Sequence, residues 1–124
     1  MNKQEIMVVD DQPTICKEVT AMQKGIYNVR AFKSGKDALA YLDENHVDLI
    51  LLDYYMPEMT GFEVLLQINQ NKAHSNTPVI FLTAEINNRM EHEMLQRGAA
   101  DYLCKPINPM MLRECIEKHL KSPK

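Results

Sequence analysis

The chain has 124 residues and a mass of 14.3 kDa, the size of one ordinary domain of roughly 100–150 residues. Hydrophobic residues make up 45% and charged residues 25% of the sequence, so the composition excludes an intrinsically disordered or collagen-like chain. The formal net charge of −3 excludes the strongly basic surface with which nucleic-acid-binding domains neutralise phosphates.

Short apolar segments alternate with segments of helical periodicity along the chain. Apolar runs predict strands at residues 6–9, 27–32, 49–52, 79–82 and 102–103. A helix is predicted after each strand: the first begins at Pro13 and ends near Gly25, the second is capped by Ser34, and the third follows a loop of turn residues ending at Gly61. The fourth covers about residues 87–97 and the last begins near Pro109. Five βα units predict an α/β fold, a doubly wound five-stranded parallel sheet covered by helices on both faces, in one domain of residues 1–124.

Polar side chains stand directly after four of the predicted strands. They are Asp10 and Asp11, then Asp53, Thr83 and Lys105. Because parallel strands end at the same edge of a sheet, and doubly wound sheets bind ligands beyond those ends, we expect these five side chains to converge there. Taken singly, the first two acids are equally explained as a helix N-cap pair and Asp53 as a turn former.

A cluster of three carboxylates predicts a bound cation. Two like charges about 4 Å apart repel by about 4 kcal/mol at an effective dielectric of 20, so either one pKa rises or a cation lies between them. Oxygen ligands without thiolate or imidazole favour Mg²⁺. A carboxylate beside Mg²⁺ and the Lys105 ammonium is equipped to attack phosphorus, and we expect Asp53 to be ionised at pH 7 for this purpose, with the Thr83 hydroxyl donating to a phosphoryl oxygen.

The ordered set of motifs resembles the receiver domain of two-component response regulators. The matching pieces are Asp10-Asp11, the segment around Asp53 that runs Leu-Leu-Asp-Tyr-Tyr-Met-Pro-Glu-Met-Thr-Gly, Thr83-Ala84 and Lys105-Pro106, at separations similar to those usual in the family. The likeness covers about residues 5–120. It implies a flavodoxin-like (βα)5 sheet with strand order 2-1-3-4-5, and a cis peptide bond before the proline.

The resemblance also implies roles for individual residues. Asp53 is implied as the phosphoacceptor, with Asp11 and Asp53 binding Mg²⁺ directly, Asp10 through water, and Tyr55 through its backbone carbonyl. Lys105 is implied to contact the phosphoryl group. By the same likeness, Thr83 and Tyr102 form the switch, and Tyr55 and Glu85 flank the phosphoryl group and modulate its lifetime.

The resemblance implies partners as well. They are a sensor histidine kinase or phosphotransfer protein as phosphodonor, and a downstream protein that binds the face formed by the fourth helix, fifth strand and fifth helix. We expect no direct binding to nucleic acid or membrane, a monomer or a phosphorylation-dependent dimer, and no catalysis beyond the chain's own phosphorylation and dephosphorylation. We also expect a cytoplasmic chain, because the N-terminus lacks the apolar segment of a signal peptide.

Several alternatives stay open at this stage. The domain is either a free-standing messenger or the receiver part of a longer regulator, although no output domain is expected after the fifth helix. A metal-dependent phosphohydrolase that forms an aspartyl phosphate is disfavoured, because Tyr55 stands where such enzymes usually carry a second Asp. A non-phosphorylated interaction module is disfavoured because no site residue is missing.

The remaining reactive side chains are assigned no chemistry from sequence. The three cysteines lack CxxC spacing, so we expect reduced and mostly buried thiols. We expect the four histidines to be solvated, with no metal constellation among them.

Overall fold

A computed structural model describes residues 3–120, and it has the predicted alternation of five strands and five helices. The strands are β1 (Glu5–Val9), β2 (Asn28–Phe32), β3 (Leu49–Asp53), β4 (Val79–Thr83) and β5 (Asp101–Cys104). The helices are α1 (Pro13–Met22), α2 (Gly35–Leu42), α3 (Gly61–Gln70), α4 (Asn88–Gln96) and α5 (Pro109–His119). The first helix ends three residues before Gly25, which has the positive φ of 84° expected at a helix terminus.

All five strands are parallel, in the order β2-β1-β3-β4-β5. The predicted fold class and strand order are therefore confirmed. The interior strands β3 and β4 are buried at every position, whereas edge strand β2 is exposed or half-buried throughout. This contrast is expected because helices cover both faces of a parallel sheet but not its edges.

The sheet separates two hydrophobic cores. One core contains Met7, Leu52, Val64, Phe81 and Met94, with Tyr102 packed against it, and lies between the sheet and α2, α3 and α4. The other contains residues of α1 and α5 packed on the opposite face. Successive side chains of a strand point to opposite faces, so each central strand supplies apolar residues to both cores.

The loop between β3 and α3 is fixed at both of its ends. Thr60 and Glu63 form a complete capping box at the start of α3. Gly61 follows the cap, and a Cβ atom there would lie 2.7 Å from the backbone oxygen of Asp53 and 2.7 Å from a ring carbon of Phe81. Glycine is thus needed because the helix start approaches the end of β3 closely.

The prediction that the histidines are solvated is wrong for His74. This residue is 3% exposed, and its Nε2 donates a 2.7 Å hydrogen bond to the carbonyl oxygen of Leu42. The last carbonyls of a helix have no partner within the helix, and this imidazole supplies one for α2. The expectation for the thiols holds for Cys16 and Cys115, which are buried, but Cys104 is exposed.

None of the helices within residues 3–120 combines the length and hydropathy needed to span a bilayer.

Candidate functional site

The predicted site residues meet at the carboxyl ends of the strands. Asp53 is the last residue of β3 and is in register with Leu82, and Thr83 ends β4 and is in register with Cys104. Asp10 follows β1, and Lys105 follows β5. The aligned ends of these four strands explain why residues so distant in sequence meet.

Three carboxylates form the floor of the site. Asp10 is 0% and Asp53 is 4% exposed, whereas Asp11 is half-buried. One oxygen from each of the three lies within 4.8 Å of the others. Asp10 also accepts a 2.9 Å hydrogen bond from the backbone N–H of Gln12. The N-cap residue of α1 is Gln12 and neither of the two acids, so the alternative explanation of Asp10 and Asp11 as an N-cap pair does not hold.

Lys105 links two of these carboxylates. Its Nζ lies 2.8 Å from Oδ2 of Asp10 and 3.4 Å from Oδ1 of Asp53. Burial acts to lower the pKa of Lys105, but the two carboxylates outweigh this effect and raise the pKa above its ordinary value. The ammonium group is therefore charged, and the peptide bond that follows it, Lys105–Pro106, is cis.

Gln12 is a site residue that the sequence analysis missed. Its Oε1 accepts a 3.1 Å hydrogen bond from Nζ of Lys105. A polar residue directly after an acidic pair was the available signal. That signal is weak, because most such residues at the start of a helix face solvent.

The surroundings of Asp53 raise its pKa. Burial and, after it, the neighbouring Asp10 raise the pKa of Asp53 to about 7, although Lys105 and the backbone N–H of Tyr55 act in the opposite direction. The prediction of an ionised Asp53 applies to the carboxylate beside bound Mg²⁺, and it stays a prediction. A cation among the three acids would favour the ionised form.

Thr83 is held by its own loop. Its side chain is fully buried, and Oγ1 donates a 2.7 Å hydrogen bond to the backbone oxygen of Glu85. Tyr102, in register with Phe81 on the neighbouring strand, is half-buried against the α4 side of the sheet. The predicted switch residues thus lie on adjacent strands, and the Thr83 hydroxyl has a partner that it must leave to reach any ligand.

The site is open to solvent. A cavity of about 590 Å³ is lined by Asp11, Asp53, Tyr55, Ala84 and Lys105, among others. The Tyr55 side chain is 62% exposed, and its backbone N–H donates a 3.3 Å hydrogen bond to Oδ1 of Asp53. Glu85 is also exposed. Reactants can therefore reach the Asp53 carboxylate through this cavity, past Tyr55.

Comparison with known proteins identifies the family. The sequence profile of the response regulator receiver domain matches residues 6–117. The chain belongs to this family.

Curated relatives and solved structures agree with that assignment. The receiver domain is 39% identical to a probable cyclic di-GMP phosphodiesterase of Vibrio cholerae, over 94% of this chain and 26% of that protein. It is 34% identical to the transcriptional regulatory protein YvrH of Bacillus subtilis, over 98% of this chain and 51% of that protein. The chemotaxis protein CheY4 of Vibrio cholerae superimposes with a TM-score of 0.91 at 31% identity, covering 95% of this chain and 99% of CheY4. The chain spans about a quarter to a half of the length of these two curated relatives.

The receiver domain carries exposed apolar side chains near α4, β5 and α5. Met110 and Met111, in the first turn of α5, are 70% and 57% exposed, and Leu95 on α4 is 49% exposed. Methionine side chains are flexible and polarisable, which suits contacts with protein surfaces.

Proposed function

We propose that Asp53 is the residue on which this receiver domain carries the phosphoryl group. The observation that carries the proposal is the position of its carboxylate, which is 4% exposed, 3.4 Å from the Lys105 ammonium and clustered with the carboxylates of Asp10 and Asp11. A buried turn former would not need an ammonium group and two further acids around it. Such an arrangement suits a group that must become more negatively charged during its function.

The donor set fits Mg²⁺. Three carboxylates with no thiolate or imidazole among them match the oxygen ligands of a hard cation. Burial and, after it, the negative charge of Asp10 raise the pKa of Asp53, and a cation would offset both effects. We propose that Asp11 and Asp53 bind the ion directly, Asp10 through water, and Tyr55 through its backbone carbonyl. When bound, the ion neutralises charge on the phosphoryl oxygens.

Phosphoryl transfer then requires mainly that the site positions the phosphodonor against the Asp53 carboxylate. An Oδ atom of Asp53 forms a bond to phosphorus while the bond from phosphorus to the donor's histidine nitrogen breaks, and the electron pair stays on that nitrogen. Lys105 contacts the oxygens of the transferring group. No proton has to leave Asp53, provided that its carboxylate is ionised at the start.

The switch follows from the new charge on Asp53. The added phosphoryl oxygens offer the Thr83 hydroxyl a stronger acceptor than the backbone oxygen of Glu85, so Thr83 moves towards them. The space that it leaves is taken by Tyr102, and the surface of α4, β5 and α5 changes. Phosphorylation thereby shifts the population between two conformations.

One proposed partner acts before phosphorylation and another acts after it. A sensor histidine kinase or a phosphotransfer protein supplies the phosphoryl group, and a downstream protein binds the α4, β5 and α5 face. We propose that residues 1–124 act as one cytoplasmic receiver domain that catalyses only its own phosphorylation and dephosphorylation. It acts as a monomer or a phosphorylation-dependent dimer and contacts neither nucleic acid nor membrane directly.

Mass spectrometry of the intact protein tests the proposal. Incubation with acetyl phosphate and Mg²⁺ is expected to add one phosphoryl group per chain, which peptide mapping assigns to Asp53, and chelation of Mg²⁺ is expected to prevent the addition. The Asp53→Asn variant should gain none. The matched control is Asp43→Asn, a change at an exposed acid at the end of α2, which should behave like the parent.

Each other outcome supports another function. Rapid release of inorganic phosphate without accumulated phosphoprotein would indicate a phosphohydrolase. No modification at all would indicate a pure interaction module. Modification that persists in the Asp53→Asn variant would refute the assignment of the acceptor.

A further inference from the structure

A second group of metal-binding side chains lies at the opposite edge of the sheet. Asp101 is the first residue of β5, at its amino end, and Cys115 and His119 are four residues apart on one face of α5. One ligand atom from each lies within 4.8 Å of the other two. No role in the proposed phosphorylation uses these residues.

Two donors converge on one oxygen atom in this group. Oδ2 of Asp101 accepts a hydrogen bond from the Cys115 thiol, at 3.7 Å, and lies 2.9 Å from Nε2 of His119. The other oxygen, Oδ1, accepts a 2.8 Å hydrogen bond from the backbone N–H of Tyr102, which fixes the orientation of the carboxylate. The three potential ligand atoms are thus held together by hydrogen bonds. A cation can take the place of the protons in these hydrogen bonds.

The distances suit a tetrahedral ion. Bond lengths of about 2.0 Å to oxygen and nitrogen and about 2.3 Å to sulfur put neighbouring ligand atoms about 3.3–3.5 Å apart. The oxygen–sulfur distance of 3.7 Å is already close to this value. The oxygen–nitrogen distance of 2.9 Å has to open by about 0.4 Å, which small side-chain rotations achieve.

The mixture of ligands selects the metal. One sulfur, one nitrogen and one oxygen ligand suit Zn²⁺ and not the Mg²⁺ of the acidic site. A carboxylate and a thiolate also balance the two positive charges of the ion. A hollow of about 480 Å³ that is lined in part by His119 gives access from solvent.

We propose that Asp101, Cys115 and His119 form a zinc-binding site whose fourth ligand is water. On binding, the Cys115 thiol releases its proton to solvent, and His119 presents Nε2 without a proton. The ion ties α5 to the start of β5, one residue from Tyr102. The site is separate from the acidic cluster, so its existence does not depend on the proposed phosphorylation.

Cobalt and zinc binding test the proposal in the full chain with excess Mg²⁺ present. Co²⁺ is expected to give a thiolate-to-cobalt charge-transfer band at one equivalent, and Zn²⁺ is expected to abolish it. Zinc affinity is measured by competition with a chromophoric chelator. Cys115→Ser and His119→Gln should each lower the affinity at least about tenfold, as losing even an outer-shell partner does.

The matched controls are Cys104→Ser and His92→Gln, which alter an exposed thiol and an exposed imidazole. Both should keep the parent's band and affinity, as should Asp53→Asn. A parent without the charge-transfer band, or a His119→Gln variant that binds zinc as tightly as the parent, would overturn the proposal. If Cys115→Ser does not fold, His119→Gln alone decides the question, because its ring is part-exposed at the end of α5.

Discussion

Replacing Asp53 with asparagine should make the receiver domain more stable, and the gain should depend on pH. The substitution keeps the size of the side chain but removes a buried negative charge that lies beside Asp10. In the parent, burial and Asp10 raise the pKa of Asp53 from 3.8 to about 7. Ionising this group therefore costs the folded state more than it costs the unfolded chain.

The sign and size of the effect follow from that shift. Between about pH 4 and pH 7 the folded state binds more protons at this position than the unfolded state, so the free energy of unfolding of the parent falls as the pH rises. A shift of about three units corresponds to about 4 kcal/mol. The effect of Lys105 is already contained in this shift, and the amide oxygen of asparagine can still accept a hydrogen bond from the Lys105 ammonium. We expect Asp53→Asn to gain about 4 kcal/mol above pH 7 and to gain nothing near pH 4.

Urea denaturation in the presence of a chelator measures this difference across the pH range. Subtracting the parent's profile from the variant's removes the contributions of the other titrating groups, which are common to both. The control Asp43→Asn should change stability by less than about 0.5 kcal/mol at every pH, because Asp43 is exposed. Mg²⁺ should stabilise the parent more than Asp53→Asn. If the difference in the free energy of unfolding between Asp53→Asn and the parent stays constant with pH, the reasoning is refuted.

Three further substitutions test the loop and the switch. Gly61→Ala should cost about 2–3 kcal/mol in urea denaturation, because its Cβ would lie 2.7 Å from the backbone oxygen of Asp53, and a cost below about 1 kcal/mol would contradict the rigidity of that loop. Tyr55→Ala should shorten the lifetime of the phosphorylated form, followed by intact mass after donor removal, because the exposed ring limits access of water, and unchanged decay would dismiss this role. Tyr102→Ala should still be phosphorylated but should bind the downstream protein with an affinity that no longer depends on phosphorylation, as measured by calorimetry. Affinity that still responds to phosphorylation would argue against the switch.

The alternation of strands and helices and the meeting of the acids with Lys105 were predictable from local patterns combined with the parallel topology, whereas the strand order was implied only by the resemblance to receiver domains. The run from Leu49 to Leu52 is apolar at every position and ends at Asp53, which identifies a central strand and a residue at its carboxyl edge. Nothing more than the rule that parallel strands end together is then needed.

The features that the sequence did not reveal depend on contacts between distant residues. His74 is buried because its ring reaches a carbonyl of α2, and no periodicity signals that contact. The proposed zinc ligands are similar: Cys115 and His119 have the i, i+4 spacing of a helix face, but Asp101 comes from another element. The protonation of Asp53 depends on the balance of burial, Asp10 and Lys105, which only distances can decide.

The sheet divides the interior into two cores, and this division affects how the sequence can change in evolution. Side chains beneath α1 and α5 form one hydrophobic cluster and those beneath α2, α3 and α4 form another, so we expect a substitution in one layer to need no compensating substitution in the other. One layer can acquire a new metal ligand or a new helix packing while the other keeps its contacts. Lineages of such a domain are therefore free to diversify one side of the molecule at a time.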